Sequence, residues 1–191
     1  MFVFLREGFD RFLRNPLGEA IAAMLFLFAA FTGILLGMGS ILYLSHLSTD
    51  SAQNPMLARM RLLQPLQNPQ RTSTAFWLGI MIWIIAILPN FQSVLLGIPI
   101  AWLLIQPLWS ALLIANHYAL SPLIALRTIW FLTLHAPAVA FRLYALGLLA
   151  FSGLFLFGIG ICATLPISIF AALRVLETSR LEITAAIQRA Y

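Results

Sequence analysis

Lysine is missing from this 191-residue chain, acidic residues number six, and there is a single cysteine. Each scarcity excludes something. Cys162 has no partner for an internal disulfide and, lying within an apolar run, reads as an inert packing residue, so the redox compartment stays unread. No carboxylate falls inside an apolar run, which argues against a proton-coupled transporter. Neither a nucleophile elbow nor metal-ligand spacing can be found, which leaves the chain without a catalytic constellation. A charged start with no small-residue cleavage site after a short apolar core gives no expectation of a removable signal peptide.

What is present is apolar. Hydrophobic residues make up 62% of the chain and charged residues 9%, far from the composition of soluble domains. The eleven basic residues, all arginine, flank the apolar runs, where they serve as headgroup anchors and set orientation and do not point to nucleic acid. The expected fold class is all-α: a polytopic integral membrane protein forming a single domain over residues 1–191. About four transmembrane helices of roughly 20 residues fit, or five, with amphipathic interfacial helices and short connections.

The apolar runs are Ala20–Leu44, Ala75–Leu88, Ser93–Ile114 and Leu143–Leu165. Met1–Asn15 spaces Phe2, Phe4, Leu5, Phe9, Phe12 and Leu13 among charges at helical intervals, as a helix lying in the membrane interface would. Leu123–His135 is a greasier stretch of the same kind. Pro16 and Pro137 each restart the chain. Pro99 and Pro107 are expected to kink the third run, Pro166 to interrupt the fourth, and Ile167–Tyr191 to continue as a helix that turns polar. Residues 45–74 are polar and proline-punctuated and read as an extramembrane loop.

Leu5–Ser40 slides onto Leu126–Ile161 without a gap, with ten of thirty-six positions identical. The identities include Arg6/Arg127, Pro16/Pro137, Gly37/Gly158 and Gly39/Gly160, suggesting repeat halves 1–47 and 122–168. Gly37, Gly39, Gly158 and Gly160 are candidate helix-packing residues, since Gly-x-Gly lets another backbone approach closely. Arg6, Arg127 and Arg142 are candidate interfacial anchors. Arginines near both termini place both in the cytoplasm of a bacterial inner (plasma) membrane. Four spans would then make the two halves inverted. Arg127 and Arg142, the charges nearest the apolar runs, have Glu19 and Asp50 as possible partners.

"REGFDRFLRNP" before the first span, "ALSPLIALRTIWFLTLHAP" before the last, and "FGIGICATLPISIFAALRVLE" at the close resemble small multi-pass bacterial membrane proteins of the YciC-like and glycerophosphodiesterase-membrane-domain-like kind. The motif of that resemblance is Gly158, Gly160, Thr164 and Pro166. It implies a non-catalytic membrane fold.

The expectation is a non-enzymatic accessory or structural subunit packing against membrane lipids and other integral membrane proteins, with no cofactor. One alternative is a small transporter or permease component built from the duplicated halves. Another is a haem- or chlorophyll-binding accessory subunit, with His46, His117 and His135 as ligands near the span ends.

Overall fold

The computed structural model describes residues 1–31, 68–87, 94–152 and 160–191. His46, Gly37, Gly39, Gly158, Asp50 and most of the 45–74 segment lie outside the described residues. Within them are eight helices: α1 (Phe2–Arg14), α2 (Pro16–Phe31), α3 (Pro69–Ile87), α4 (Val94–Tyr118), α5 (Pro122–His135), α6 (Pro137–Ser152), α7 (Ile161–Thr178) and α8 (Arg180–Ala190). The described residues are all-α, as expected.

Four of these helices begin on proline. At the first helical position the missing N–H is one the helix could not have bonded, and the ring holds φ near its helical value. Asparagine completes two of the starts: Asn15 Oδ1 accepts from the Gly18 N–H at 3.1 Å, and Asn68 Oδ1 from the Gln70 N–H at 3.0 Å. Residues 69–74, expected in a loop, are therefore the first turns of α3.

Side-chain contacts fix the directions of the helices. Thr164 Oγ1 donates to the Ala150 carbonyl at 3.1 Å, which pairs the start of α7 with the end of α6. Tyr118 donates to the Leu176 carbonyl at 3.3 Å, so α4 and α7 finish at one end. Thr74 Oγ1 donates to the Leu120 carbonyl at 2.8 Å, so α3 starts at that same end. Near the start of α2, Glu19 meets Arg11, which lies over Phe170 in the second half of α7; further along, Phe26 packs edge-on to Trp109 in the middle of α4. Helices α2, α3 and α6 thus leave one end of the bundle, and α4 and α7 return to it. The repeated pairs α1–α2 and α5–α6 run parallel and not inverted. The reason is that Pro69 starts α3 at the end where Pro16 starts α2.

The stack is closed by Trp109, Leu78, Leu112, Leu143, Leu146, Leu165 and Ile169, each almost fully buried. Gly147 admits the side chains of Gln106 and Trp109 from α4; any Cβ there would collide with Gln106 Oε1. Pro99 and Pro107 sit inside one continuous α4, and Pro166 inside α7. The break expected at Pro166 falls at Ser179, where α8 turns off by 78°. There Thr178 Oγ1 donates to the Arg174 carbonyl at 2.8 Å, a local bond that competes with continuing the ladder. After α4 the chain turns through 115° into α5.

Among the described residues no single helix is both long and apolar enough to cross a membrane, while the bent pairs α4–α5 and α7–α8 are by length and composition. The apolar run that α2 begins continues in sequence past Phe31 to Leu44, whereas the run Leu143–Leu165, expected as one span, is divided between the end of α6 and the start of the oppositely directed α7.

The α4–α5 corner is made by Ala119 at φ 56°, with the Leu120 N–H bonded back to the Ala115 carbonyl at 3.2 Å. This is the left-handed helix ending that glycine normally provides, and a Cβ is strained in it. Ala119→Gly is expected to raise stability by about 1 kcal/mol. Denaturation midpoints in detergent micelles check this, and an unchanged or lowered midpoint contradicts the assignment.

Candidate functional site: a charged rim at one end of the bundle

The nine arginines and five carboxylates of the described residues all lie on α1, the first turns of α2, α3 and α6, the last turns of α7, and on α5 and α8. Residues 20–31, 75–87, 94–116, 143–152 and 160–173 carry no charged side chain. The helix directions bring the charge-bearing segments to the same end. The remainder of each lengthwise helix is apolar or neutral.

One half of this rim joins α1 and α2 to α7. Gly8 is buried against α7 so closely that a Cβ would fall 2.7 Å from the Ile167 carbonyl oxygen. That approach brings Arg11 over the Phe170 ring at 5.2 Å, with Arg174 over the same ring at 5.3 Å. A guanidinium over an aromatic face is drawn to the ring quadrupole. Arg11 Nε then reaches Glu19 Oε1 at 3.3 Å, and Arg174 reaches Glu7 at 3.4 Å and Glu177 at 2.8 Å. Glu19 is only 4% exposed, the most deeply buried charge described. It depends on its cation, because an uncompensated buried carboxylate costs several kcal/mol.

The other half gathers the start of α3, the end of α4 and the α7–α8 joint. Arg71 Nη2 donates to the His117 carbonyl at 3.4 Å, capping carbonyls that α4 leaves open. The His117 ring stands edge-on to Tyr118 at 4.8 Å. Both residues lie beyond Ile114, where the apolar run ends. Burial holds the His117 pKa below the ordinary histidine value, nearby Glu177 pulls it back up, and Arg71 and Arg180 lower it further. Burial also raises the Tyr118 pKa, against a smaller opposing effect from Arg180.

Protein-family models, curated proteins and solved structures give no match to this chain. The site is therefore argued from its own geometry.

The candidate histidines stand apart in their settings: His117 on the rim, and His135 at the end of α5, exposed and stacked on Phe131 at 6.1 Å. No group of three or more His, Cys, Asp or Glu side chains able to hold a metal gathers among the described residues. Gly160 is the residue before α7, in ordinary right-handed conformation. Arg6, Arg127 and Arg142 are exposed, at the charged end. Glu19 pairs with Arg11, not with Arg127 or Arg142. Arg174 and Glu177, within the Ile167–Tyr191 stretch expected to turn polar, form part of the network that holds α1. Sequence reasoning missed Arg11, Phe170 and Arg71 because their partners come from other helices. The available signal was Asn68-Pro69, which repeats Asn15-Pro16 and marks a helix start.

Chemically, the rim presents exposed guanidinium groups in excess over carboxylates, suited to holding anionic groups. His117 makes it pH-sensitive. With a folded pKa below the unfolded value of about 6.5, the unfolded chain takes up more protons in acid, so this contribution is present above the unfolded value and is lost as pH falls below it through the lower folded pKa. Wild-type melting temperature in detergent should fall more steeply than that of His117→Gln between pH 7 and 5; parallel curves would remove His117 as the cause.

Proposed function

We propose that this chain is an integral membrane protein that does no catalysis and works as an accessory or structural subunit, packing against other membrane proteins and lipid. The observation that carries the reading is the one-ended distribution of charge. A soluble bundle spreads charge over its surface, whereas here the flanks away from the rim expose large apolar side chains: Met24, Leu25 and Phe28 on α2, Trp77 and Ile84 on α3, and Leu103 on α4. In water such contiguous faces drive association, and in hydrocarbon they are the solvated surface. Exposed side chains this apolar, beside an arginine-rich rim, support a rim on the cytoplasmic face of a bacterial plasma membrane by the positive-inside rule. The termini, carried by α1 and α8, go with it.

Five lengthwise helices, α2, α3, α4, α6 and α7, support more crossings than four. Helices α1, α5 and α8 belong to the headgroup region. The likeness to YciC-like proteins agrees with this reading; of its motif residues, Thr164 ties α7 to α6 and Pro166 lies inside α7. Among the described residues His117 and His135 stand on the rim and not among the apolar residues, which favours a subunit without haem or chlorophyll.

A transporter reading has one observation of its own. Ser110 is fully buried midway along α4, and its Oγ has no hydrogen-bond partner. An unsatisfied hydroxyl in an apolar stack costs free energy, so a passing solute or water would find a partner there.

Membranes washed with alkaline carbonate should retain the protein, and mild detergent should release it together with another membrane subunit in fixed ratio. Recovery from the wash supernatant would sink the membrane assignment. A lone monodisperse monomer in mild detergent would sink the subunit role, and solute flux in proteoliposomes that Ser110→Ala changes would favour transport.

A further inference from the structure

The duplication extends beyond sequence identity to geometry. Each launch helix ends in the same backbone conformation before its proline: Asn15 at φ −146°, ψ 64° and Ala136 at φ −136°, ψ 59°. The residues are different, so the shared shape is not a matter of side chain. The paired helices that follow, α2 and α6, leave the same end of the bundle.

The exposed faces match as well. On α1, Phe2, Arg6, Phe9 and Leu13 form one stripe at helical spacing, with the three apolar members 88%, 50% and 57% exposed. At the same offset of 121 positions, α5 presents Leu123, Arg127, Trp130 and Leu134, with its apolar members 58%, 65% and 59% exposed. Neither stripe contains an acid. Arg11, Arg71 and Arg174, on the inner sides of the rim, bond to protein groups. Arg6 and Arg127 are exposed and form no ion pair or hydrogen bond in the described structure. An arginine flanked on its own face by large apolar side chains suits a plane where hydrocarbon meets fixed negative charge.

We infer that α1–α2 and α5–α6 are two copies of one unit entering the bilayer from the same leaflet, and that Arg6 and Arg127 each hold the phosphate of an anionic phospholipid while their stripes lie in the acyl boundary. This rests on the membrane reading above. The guanidinium fork matches a phosphate oxygen pair, and a net negative headgroup lacks the ammonium that would compete for that phosphate.

Two measurements on the full chain test it. In a Cys162→Ala background, Arg14→Cys and His135→Cys, exposed positions off the two stripes and related by the same offset, are labelled separately with an impermeant maleimide in right-side-out and inverted membrane vesicles that retain the protein after carbonate washing. Both positions should label in the same vesicle type only; labelling in opposite types, or in both types, overturns the inference. Loss of the protein in the wash would instead overturn the membrane reading beneath it. Separately, the protein is taken from bilayers of equimolar phosphatidylglycerol and phosphatidylcholine, and its retained lipids are counted by native mass spectrometry. Wild type should keep phosphatidylglycerol preferentially, Arg6→Gln and Arg127→Gln should each lose about one such lipid, and Arg189→Gln should lose none. Equal retention of both lipids, or the same loss in all three variants, overturns the assignment.

Discussion

The Arg11–Glu19 pair is where the charged end and the apolar stack meet. Glu19 sits one turn into α2, under the surface, and a guanidinium reaches it there from α1. Arg11 can do so because α1 folds back across α7 at Gly8, and it stays there because Phe170 lies beneath it. Phe170 also supports Arg174, which in turn holds Glu7 of α1 and Glu177 of its own helix. Three helices are thus fixed by one buried carboxylate and one aromatic ring. The desolvation cost of burying Glu19 is offset at this point by pairing, and the direction in which α2 enters the stack follows from it.

What could be read from the chain alone was whatever depends on neighbours in sequence. The restarts at Pro16 and Pro137 were legible because a missing N–H and a fixed φ act locally, and the amphipathic α1 was legible because helical spacing sorts Phe9 and Leu13 from Asp10 and Arg14. Asn68-Pro69 carried the same local signal, masked by the polar residues around it. Pro166 misled because a proline early in a helix removes only one backbone bond, which the packing of α7 against α1, α2 and α6 outweighs. The corner at Ala119 was invisible: alanine gives no sign of a left-handed conformation, and the Thr74 and Arg71 groups that satisfy the carbonyls around it come from 46 residues away in sequence. Pairing of Glu19 with Arg11 instead of Arg127 or Arg142 was likewise a matter of which helices meet.

Orientation shows the same division. Whether two copies in a chain are parallel or inverted depends on the parity of the crossings between them, and one connection assigned to the wrong end reverses the answer. The start of α3 decides it. With Thr74 bonded to Leu120 at the end where α4 finishes, α2 and α3 both leave from there, and so does α6.

Parallel copies see the same surroundings from outside and different ones from within, and the residues follow that distinction. On the outward stripe the two launch helices agree in kind: Phe2 with Leu123, Arg6 with Arg127, Phe9 with Trp130, Leu13 with Leu134. On the inward side they diverge. Where α1 has Glu7, Gly8, Asp10 and Arg11, α5 has Thr128, Ile129, Phe131 and Leu132. Helix α1 lies against the rim end of α7 and answers Arg174 and Glu19 with charges. Helix α5 is covered by α4, α6 and α8, which leaves Thr128, Ile129 and Leu132 at 0%, 3% and 1% exposure. A charge at any of those three would be buried without a partner, and the one polar group kept there, the Thr128 hydroxyl, satisfies itself on the Ile124 carbonyl at 2.7 Å. The two launch helices therefore carry different inner faces because their neighbours differ, while their outer faces, free of those neighbours, are alike in kind.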